Sequence, residues 1–211
     1  SGSTQTCAGT GVTLTAGGTG TSYLWSTGET ASSIFVNPAA TTNYTLVTYN
    51  AQGCPSGQAI HTLTVNPIPT ASITGPTVAC KNASVTLTAA GGTSYLWSTG
   101  ETTQSITPTI TNNITYTVTV TDNKGCTATT NHAVTVIPES VINISGDLDI
   151  CVGETTTLTA SGVPSGTYLW SNGQGGASIT VSPASETTYT VTATDGNGCQ
   201  STGFVTVKVN A

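Results

Sequence analysis

The stretch YLWSTGET at residues 23–30 returns unchanged at residues 95–102 and, loosened to YLWSNGQG, at residues 168–175. These three phrases hold every Trp of the 211-residue chain, Trp25, Trp97 and Trp170, spaced 72 and 73 residues apart. Self-similarity at a fixed period of this length marks a repeat architecture, so the chain reads as three copies of one module. In extended backbone successive side chains alternate between faces, which sends Tyr23 and Trp25 to one side and Leu24 to the other.

The segments around the phrase keep the same alternation. In the second copy, strands are predicted over 84–89 (SVTLTA), 93–98 (TSYLWS), 105–110 (SITPTI), 115–121 (TYTVTVT) and 133–137 (AVTVI). Gly91-Gly92, Asn112-Asn113 and Asn123-Lys124-Gly125 punctuate them, and no stretch has helical periodicity. Internal spacings are conserved between the copies. Cys7 to Leu14, Cys80 to Leu87 and Cys151 to Leu158 are each seven residues, and Trp25 to Cys54, Trp97 to Cys126 and Trp170 to Cys199 are each 29. Tyr44, Tyr116 and Tyr189 each precede the second Cys by ten.

A Trp on the third strand and a Tyr opening the sixth are packing hallmarks of the immunoglobulin-like sandwich. The predicted fold is therefore all-β, three tandem immunoglobulin-like sandwiches in an elongated array. The expected boundaries are 1–67, with its first strand incomplete, then 68–138 and 139–211. The predicted core holds Trp25, Trp97 and Trp170, Tyr44, Tyr116 and Tyr189, and Leu14, Leu87 and Leu158.

Composition removes several function classes. Charged residues are 6% of the chain, with three Lys, no Arg and a net charge of -6. Nucleic acid and anionic membrane both call for clustered basic residues, so neither is an expected partner. No apolar run is long enough to span a bilayer and no signal peptide opens the sequence, which reads as a fragment from inside a longer chain.

The combined pattern resembles the immunoglobulin-like repeats of very large secreted surface proteins of Bacteroidetes. It runs Cys-x-Gly, apolar-Thr-Leu-Thr-Ala, Tyr-Leu-Trp-Ser-x-Gly, Ser-Ile, Thr-Thr-x-Tyr-Thr-Val and Gly-Cys, with Val-x-Val-x-Pro at the module end. Such repeats accompany gliding-motility adhesins and enzymes exported by type IX secretion. The resemblance implies a stalk or filament outside the cell and says little about the ligand at its tip. The expected partners are neighbouring modules of the same long chain or filament, with surface glycans as the further candidate. Asn82 stands where the other copies have Gly9 and Gly153, and Asn tolerates the left-handed backbone that such a turn requires.

Two Cys per copy in a chain of this type read as disulfides, since CxxC metal-binding pairs are missing. Two pairings are open. One closes each module on itself: Cys7 to Cys54, Cys80 to Cys126 and Cys151 to Cys199. In the sandwich topology, however, the first Cys lies at the pole facing the next module and the second at the opposite pole. A six-residue strand spans about 20 Å, whereas bridged Cα atoms must lie within about 7 Å. That geometry favours a staple between neighbours, Cys7 to Cys126 and Cys80 to Cys199, leaving Cys54 and Cys151 for neighbouring modules.

Nothing in the sequence assembles a catalytic constellation. His61 and His132 recur near the last strand, but Val205 replaces them and no repeated carboxylate accompanies them. Glu29 and Glu101 recur after the Trp, with Gln174 in the third copy. No enzyme activity, catalytic residue, resident metal or other cofactor is expected. Asp147 and Asp149 offer calcium two ligands at the second junction, a site without a counterpart at the first. Lys81, Lys124 and Lys208 fall at non-equivalent places, against a repeated isopeptide crosslink. The Thr rows 117, 119, 121 and 190, 192, 194 suit a solvent face, or else a flat array for ice or carbohydrate. The expected function is a non-catalytic extracellular spacer. The alternative is a carbohydrate-binding array of a secreted polysaccharide-degrading enzyme, which calls for recurring exposed aromatics. Phe35, Tyr49 and Phe204, the aromatics outside the repeat, do not recur.

Overall fold

The computed structural model describes residues 2–55 and 57–211 of the chain. Its elements are all strands, 22 among the described residues. The first copy contributes β1 (Gln5–Cys7), β2 (Val12–Thr15), β3 (Ser22–Trp25), β4 (Ser33–Val36), β5 (Thr42–Tyr49) and β6 (Ala59–Asn66). The second contributes β7 (Ser72–Thr74), β8 (Val78–Cys80), β9 (Ala83–Ser84), β10 (Leu87–Ala90), β11 (Ser94–Trp97), β12 (Ser105–Ile106), β13 (Thr109–Ile110), β14 (Ile114–Thr121) and β15 (Thr127–Ile137). The third contributes β16 (Asn143–Ser145), β17 (Asp149–Cys151), β18 (Thr156–Ser161), β19 (Thr167–Trp170), β20 (Ser178–Val181), β21 (Thr187–Thr194) and β22 (Gln200–Asn210).

By spatial contact the chain forms two compact units, and the second copy is divided between them. Unit one holds residues 1–75, 86–107 and 115–133; unit two holds 76–85, 108–114 and 134–211.

In unit one, the first copy is a sandwich of two sheets. One has the order β1-β6-β5-β3, and β2 pairs with β4 to make the other. Alternation explains the core between them: Leu14, Ile34 and Val36 face Trp25, Tyr44, Leu46 and Leu63. The rest of the unit carries β10 between β7 and β12, and β11 antiparallel to β14. Within it Leu87, Trp97, Tyr116, Val118 and Val120 are buried.

Unit two contains the third copy, with sheets β16-β18-β20 and β17-β22-β21-β19. Leu158, Ala160, Ile179 and Val181 from one sheet meet Ile150, Trp170, Tyr189, Val191 and Val207 from the other. The same unit holds β9 against β13 and β8 parallel to the second half of β15.

One feature of the path governs where the cysteines fall. The opening strand of a copy switches sheets. In the third copy β16 lies antiparallel to β18, and β17 then runs parallel to β22. Gly146 makes the switch with φ 153°, and a Cβ there would lie 2.6 Å from the Thr157 carbonyl oxygen. Gly75 does the same with φ 155°, followed by Pro76. The Cys that ends the second half-strand is thereby carried to the C-terminal end of the last strand: Cys7 opposite Asn66, Cys80 opposite Ile137 and Cys151 opposite Asn210.

The predicted strands 84–89 and 105–110 are each interrupted, at Val85-Thr86 and at Thr107-Pro108. Pro108 has no N–H to give a ladder, which breaks the second of them. The last strand of the second copy is longer than expected, starting at Thr127.

Candidate functional site

The residues that could do something in this chain are its cysteines, its Trp-centred cores and one cavity in the first copy. The second Cys of each copy closes a turn built in the same way three times. In the third copy the Asp195 carboxylate accepts from the backbone N–H of Asn197 and of Cys199, both at 2.8 Å, and Asp195 N–H donates to the Cys199 carbonyl at 2.9 Å. Asp122 holds Lys124 and Cys126 with the same 2.8 Å bonds. Asn50 substitutes in the first copy, accepting from Gln52 at 3.0 Å and Cys54 at 2.9 Å. Gly53, Gly125 and Gly198 complete these turns at φ 75°, 82° and 83°, left-handed backbone that favours glycine.

Two disulfides join the cysteines. Cys7 bonds Cys126 within unit one and Cys80 bonds Cys199 within unit two, each with Cα atoms 5.5 Å apart and 119 residues between them in sequence. Cys126 and Cys199 are buried, while Cys54 and Cys151 are exposed free thiols. Cys151 N–H donates to the Glu154 carboxylate at 2.9 Å. Beside the second bridge, the linker is fastened to the third copy by the Ser140 N–H, which donates to the buried Ser201 hydroxyl at 3.0 Å.

The Trp side chains are the centres of their sandwiches. Each indole N–H donates to a carbonyl six residues ahead: Trp25 to Ala31 at 2.9 Å, Trp97 to Thr103 at 2.8 Å and Trp170 to Gly176 at 3.0 Å. A buried indole needs this partner, and the turn after the Trp supplies it. Tyr44, Tyr116 and Tyr189 are buried beside them, as are Leu14, Leu87 and Leu158. Burial pushes the Tyr44 hydroxyl above its ordinary pKa, with Glu29 adding to the effect; Tyr116 is raised likewise by burial and then by Glu101. Sequence reasoning missed the indole acceptor, because a backbone carbonyl has no signature in the side-chain pattern.

The other candidates are placed apart. His61 Nε2 lies 2.9 Å from the Ser3 carbonyl oxygen. Asp147 accepts from Asp149 N–H at 3.2 Å, and Asp149 accepts from the Asn210 amide. No group of three or more His, Cys, Asp or Glu side chains suited to a metal gathers among the described residues. Phe35 and Phe204 are exposed on their strands but occupy different positions of the repeat. Leu24, Leu96 and Leu169, on the face opposite the Trp, are 41%, 55% and 59% exposed. Among the described residues no helix is long and apolar enough to cross a membrane.

The first copy contains a cavity of about 260 Å³ that reaches its core, lined by Leu14, Gly17, Trp25, Ala59, Ile60 and His61 among others.

The two-sheet cores with a central Trp define the class: an all-β chain of three immunoglobulin-like sandwiches in tandem. No protein-family model and no curated protein matches the sequence. Among solved structures the chain is similar to the N-terminal eight Ig domains of Down syndrome cell adhesion molecule, at 15% identity and a TM-score of 0.43, over 98% of this chain and 35% of that one. It is also similar to the I67–I69 I-band fragment of titin, at 12% identity and TM-score 0.40, over 98% and 95%. A third is a structure described as an insight into host cell surface retention of a 1.5-MDa bacterial ice-binding adhesin, at 18% identity and TM-score 0.34, over 98% and 94%. The chain thus spans about a third of the first of these. Likeness at these scores is weak, and the fold rests on the strand pairing and cores described above.

Proposed function

We propose that this chain is a load-bearing spacer in an extracellular adhesin or surface filament, with no catalysis of its own. Its modules are taken as 1–67, 68–138 and 139–211. The observation that carries the reading is the pair of disulfides. Each joins the first Cys of one module to the second Cys of the next, at the same separation of 119 residues. A bond inside a module strengthens that module alone, whereas a bond from one module to the next adds a second covalent path across the junction beside the peptide linker. Pro67 and Pro69 at one linker and Pro138 at the other restrict the same junctions.

On this reading Cys54 and Cys151 are the two halves of further staples, to modules before and after. Their local structure supports it. Cys54 closes the same turn as Cys126 and Cys199, and Cys151 ends the same half-strand as Cys7 and Cys80. The motif pattern supports membership in the immunoglobulin-like repeats of large secreted Bacteroidetes surface proteins exported by type IX secretion.

The test is a thiol count and bridge map on the unreduced, denatured chain. Two free thiols, at Cys54 and Cys151, with the two bridges at 119-residue separation are expected. Three bridges, each within one module, would overturn the staple and leave a beaded tether with free hinges.

A further inference from the structure

The second copy departs from the repeat in several places, and the departures meet in one part of unit two. Lys81 stands where the other copies have Ala8 and Val152, and Asn82 where they have Gly9 and Gly153. From Pro108 to Tyr116 is eight residues, against six from Pro38 to Tyr44 and from Pro183 to Tyr189. The loop carrying Asn112 and Asn113 is therefore longer than its counterparts. Glu139 takes the linker position that Ile68 has after the first copy, by the register that sets Cys7 opposite Asn66 and Cys80 opposite Ile137. All of these second-copy and linker residues belong to unit two.

Backbone hydrogen bonds hold the segments together. Lys81 N–H donates to the Ile137 carbonyl at 2.9 Å, and Asn82, turned left-handed at φ 64°, donates from its N–H to the Ile110 carbonyl at 2.7 Å. The Asn113 side-chain oxygen accepts from Val136 N–H at 2.8 Å, which fastens the longer loop to β15. Two adjoining clefts result, of about 150 and 330 Å³, both lined by Lys81 and Pro138. The smaller is walled further by Asn82, Glu139, Gln200 and the Cys80–Cys199 bridge, and the larger by Thr111, Asn112 and Asn113. Together they reach the size of small-ligand sites, roughly 300–1,000 Å³. The polar groups of the walls are largely uncommitted: the side chains of Lys81, Asn82, Glu139 and Gln200 make no hydrogen bond or ion pair among the described residues.

We propose that these joined clefts bind an acidic sugar, a pyranose ring bearing a carboxylate, as in a hexuronate polysaccharide. The Lys81 ammonium is the one cation of either cleft, and Glu139 lines only the smaller. A ligand carboxylate is thus favoured in the larger cleft, attracted by Lys81 and farther from Glu139. Asn112 and Asn113 bring side-chain amides to that cleft, and an amide both donates and accepts, as sugar hydroxyls require. In the smaller cleft Glu139 accepts while Asn82 and Gln200 do either, a set suited to the hydroxyls of an adjoining ring. Charge alone would attract any anion; the amides and the carboxylate select one that also carries hydroxyls. After the first copy the matching positions hold Ala8, Gly9 and Ile68, which offer neither charge nor a hydrogen-bonding side chain. The site is therefore particular to the second copy, and it goes beyond the spacer role without resting on it.

The experiment titrates the full, oxidised 211-residue chain, isotope-labelled, with tetragalacturonate, uncharged cellotetraose and sodium acetate, followed by amide shifts. Saturable shifts with tetragalacturonate are expected at Lys81, Asn82, Asn112, Asn113, Glu139 and Gln200, with none at Ala8, Gly9 or Ile68. Cellotetraose lacks the carboxylate and acetate lacks the hydroxyls, so each is expected to bind at least about ten-fold more weakly. Lys81 is exposed, so K81A keeps the fold and its bridges. That variant is expected to lose about ten-fold or more in affinity for tetragalacturonate, whereas K81R, which keeps the charge, stays within about three-fold. No saturable shift at millimolar tetragalacturonate, equal binding of acetate or cellotetraose, or unchanged affinity in K81A overturns the site.

Discussion

Cys7 and Cys126 lie with Cα atoms 5.5 Å apart across 119 residues of sequence, and Cys80 and Cys199 repeat both numbers. A crosslink stabilises mainly by restricting the unfolded chain, and the effect grows with loop length, to about 2–5 kcal/mol for loops of this size. Equal loops give equal entropic contributions. The C7S/C126S and C80S/C199S double variants are thus each expected to lose about 2–5 kcal/mol, matching to within about 1 kcal/mol. Urea unfolding without reductant checks this, and a variant with an unchanged midpoint would show that its bridge constrains nothing in the unfolded chain.

The Trp97 indole is buried and donates to the Thr103 carbonyl at 2.8 Å. Trp97→Phe keeps most of the apolar volume but leaves that carbonyl without its donor, a loss of about 1–3 kcal/mol. Trp97→Ala adds a cavity and is expected to cost about 3–5 kcal/mol. Its neighbour Leu96 points outward and is 55% exposed, so Leu96→Ser should stay within about 0.5 kcal/mol. Chemical denaturation of the three variants reads the order. A Leu96 variant as damaging as Trp97→Ala would mean that the outward face is covered in solution.

Gly18, Gly91 and Gly162 share one backbone conformation but not one environment. Alanine at any of them meets the strain of a positive φ, about 1 kcal/mol or more. At Gly91 and Gly162 its methyl also overlaps the Thr70 or Val141 carbonyl oxygen, and forcing the strands apart adds about 1–3 kcal/mol. Thermal melts should therefore rank G91A and G162A well below G18A. Equal losses at all three positions would show that strain alone sets the cost.

How much of this was legible in the sequence depends on what kind of contact carries it. The alternation around Trp25, Trp97 and Trp170 encodes burial, and burial is what periodicity reports. The sheet switch is encoded differently, by Gly75-Pro76 in one copy and Gly146 alone in another. A single glycine does not say which sheet receives the chain next, so the parallel pairing of β8 and β17 was not readable. The expected strand 105–110 ran through Pro108, although proline lacks a ladder donor and marks the break in the sequence; the break at Val85-Thr86 has no such residue to mark it.

Asp195 ties the Cys199 turn to pH. Its carboxyl is held below the ordinary value of 3.8, chiefly by the hydrogen bond from Cys199 N–H, with help from Asn197 and Gly198 and partly offset by desolvation. Because the folded value is the lower one, the turn's contribution is complete above the unfolded pKa and is lost as pH falls through the folded one. Asn50 shows that a neutral amide accepts the same pair of bonds in the first copy. Asp195→Asn is therefore expected to keep the turn and remove its acid sensitivity. In the parent chain the Asp195 carboxyl should titrate below 3.8, and Cys199 amide exchange, corrected for its intrinsic pH dependence, should lose protection at acid pH. The variant should show no such loss. A carboxyl midpoint at or above 3.8 would mean that the bonds to Cys199 and Asn197 do not favour the charged form in solution.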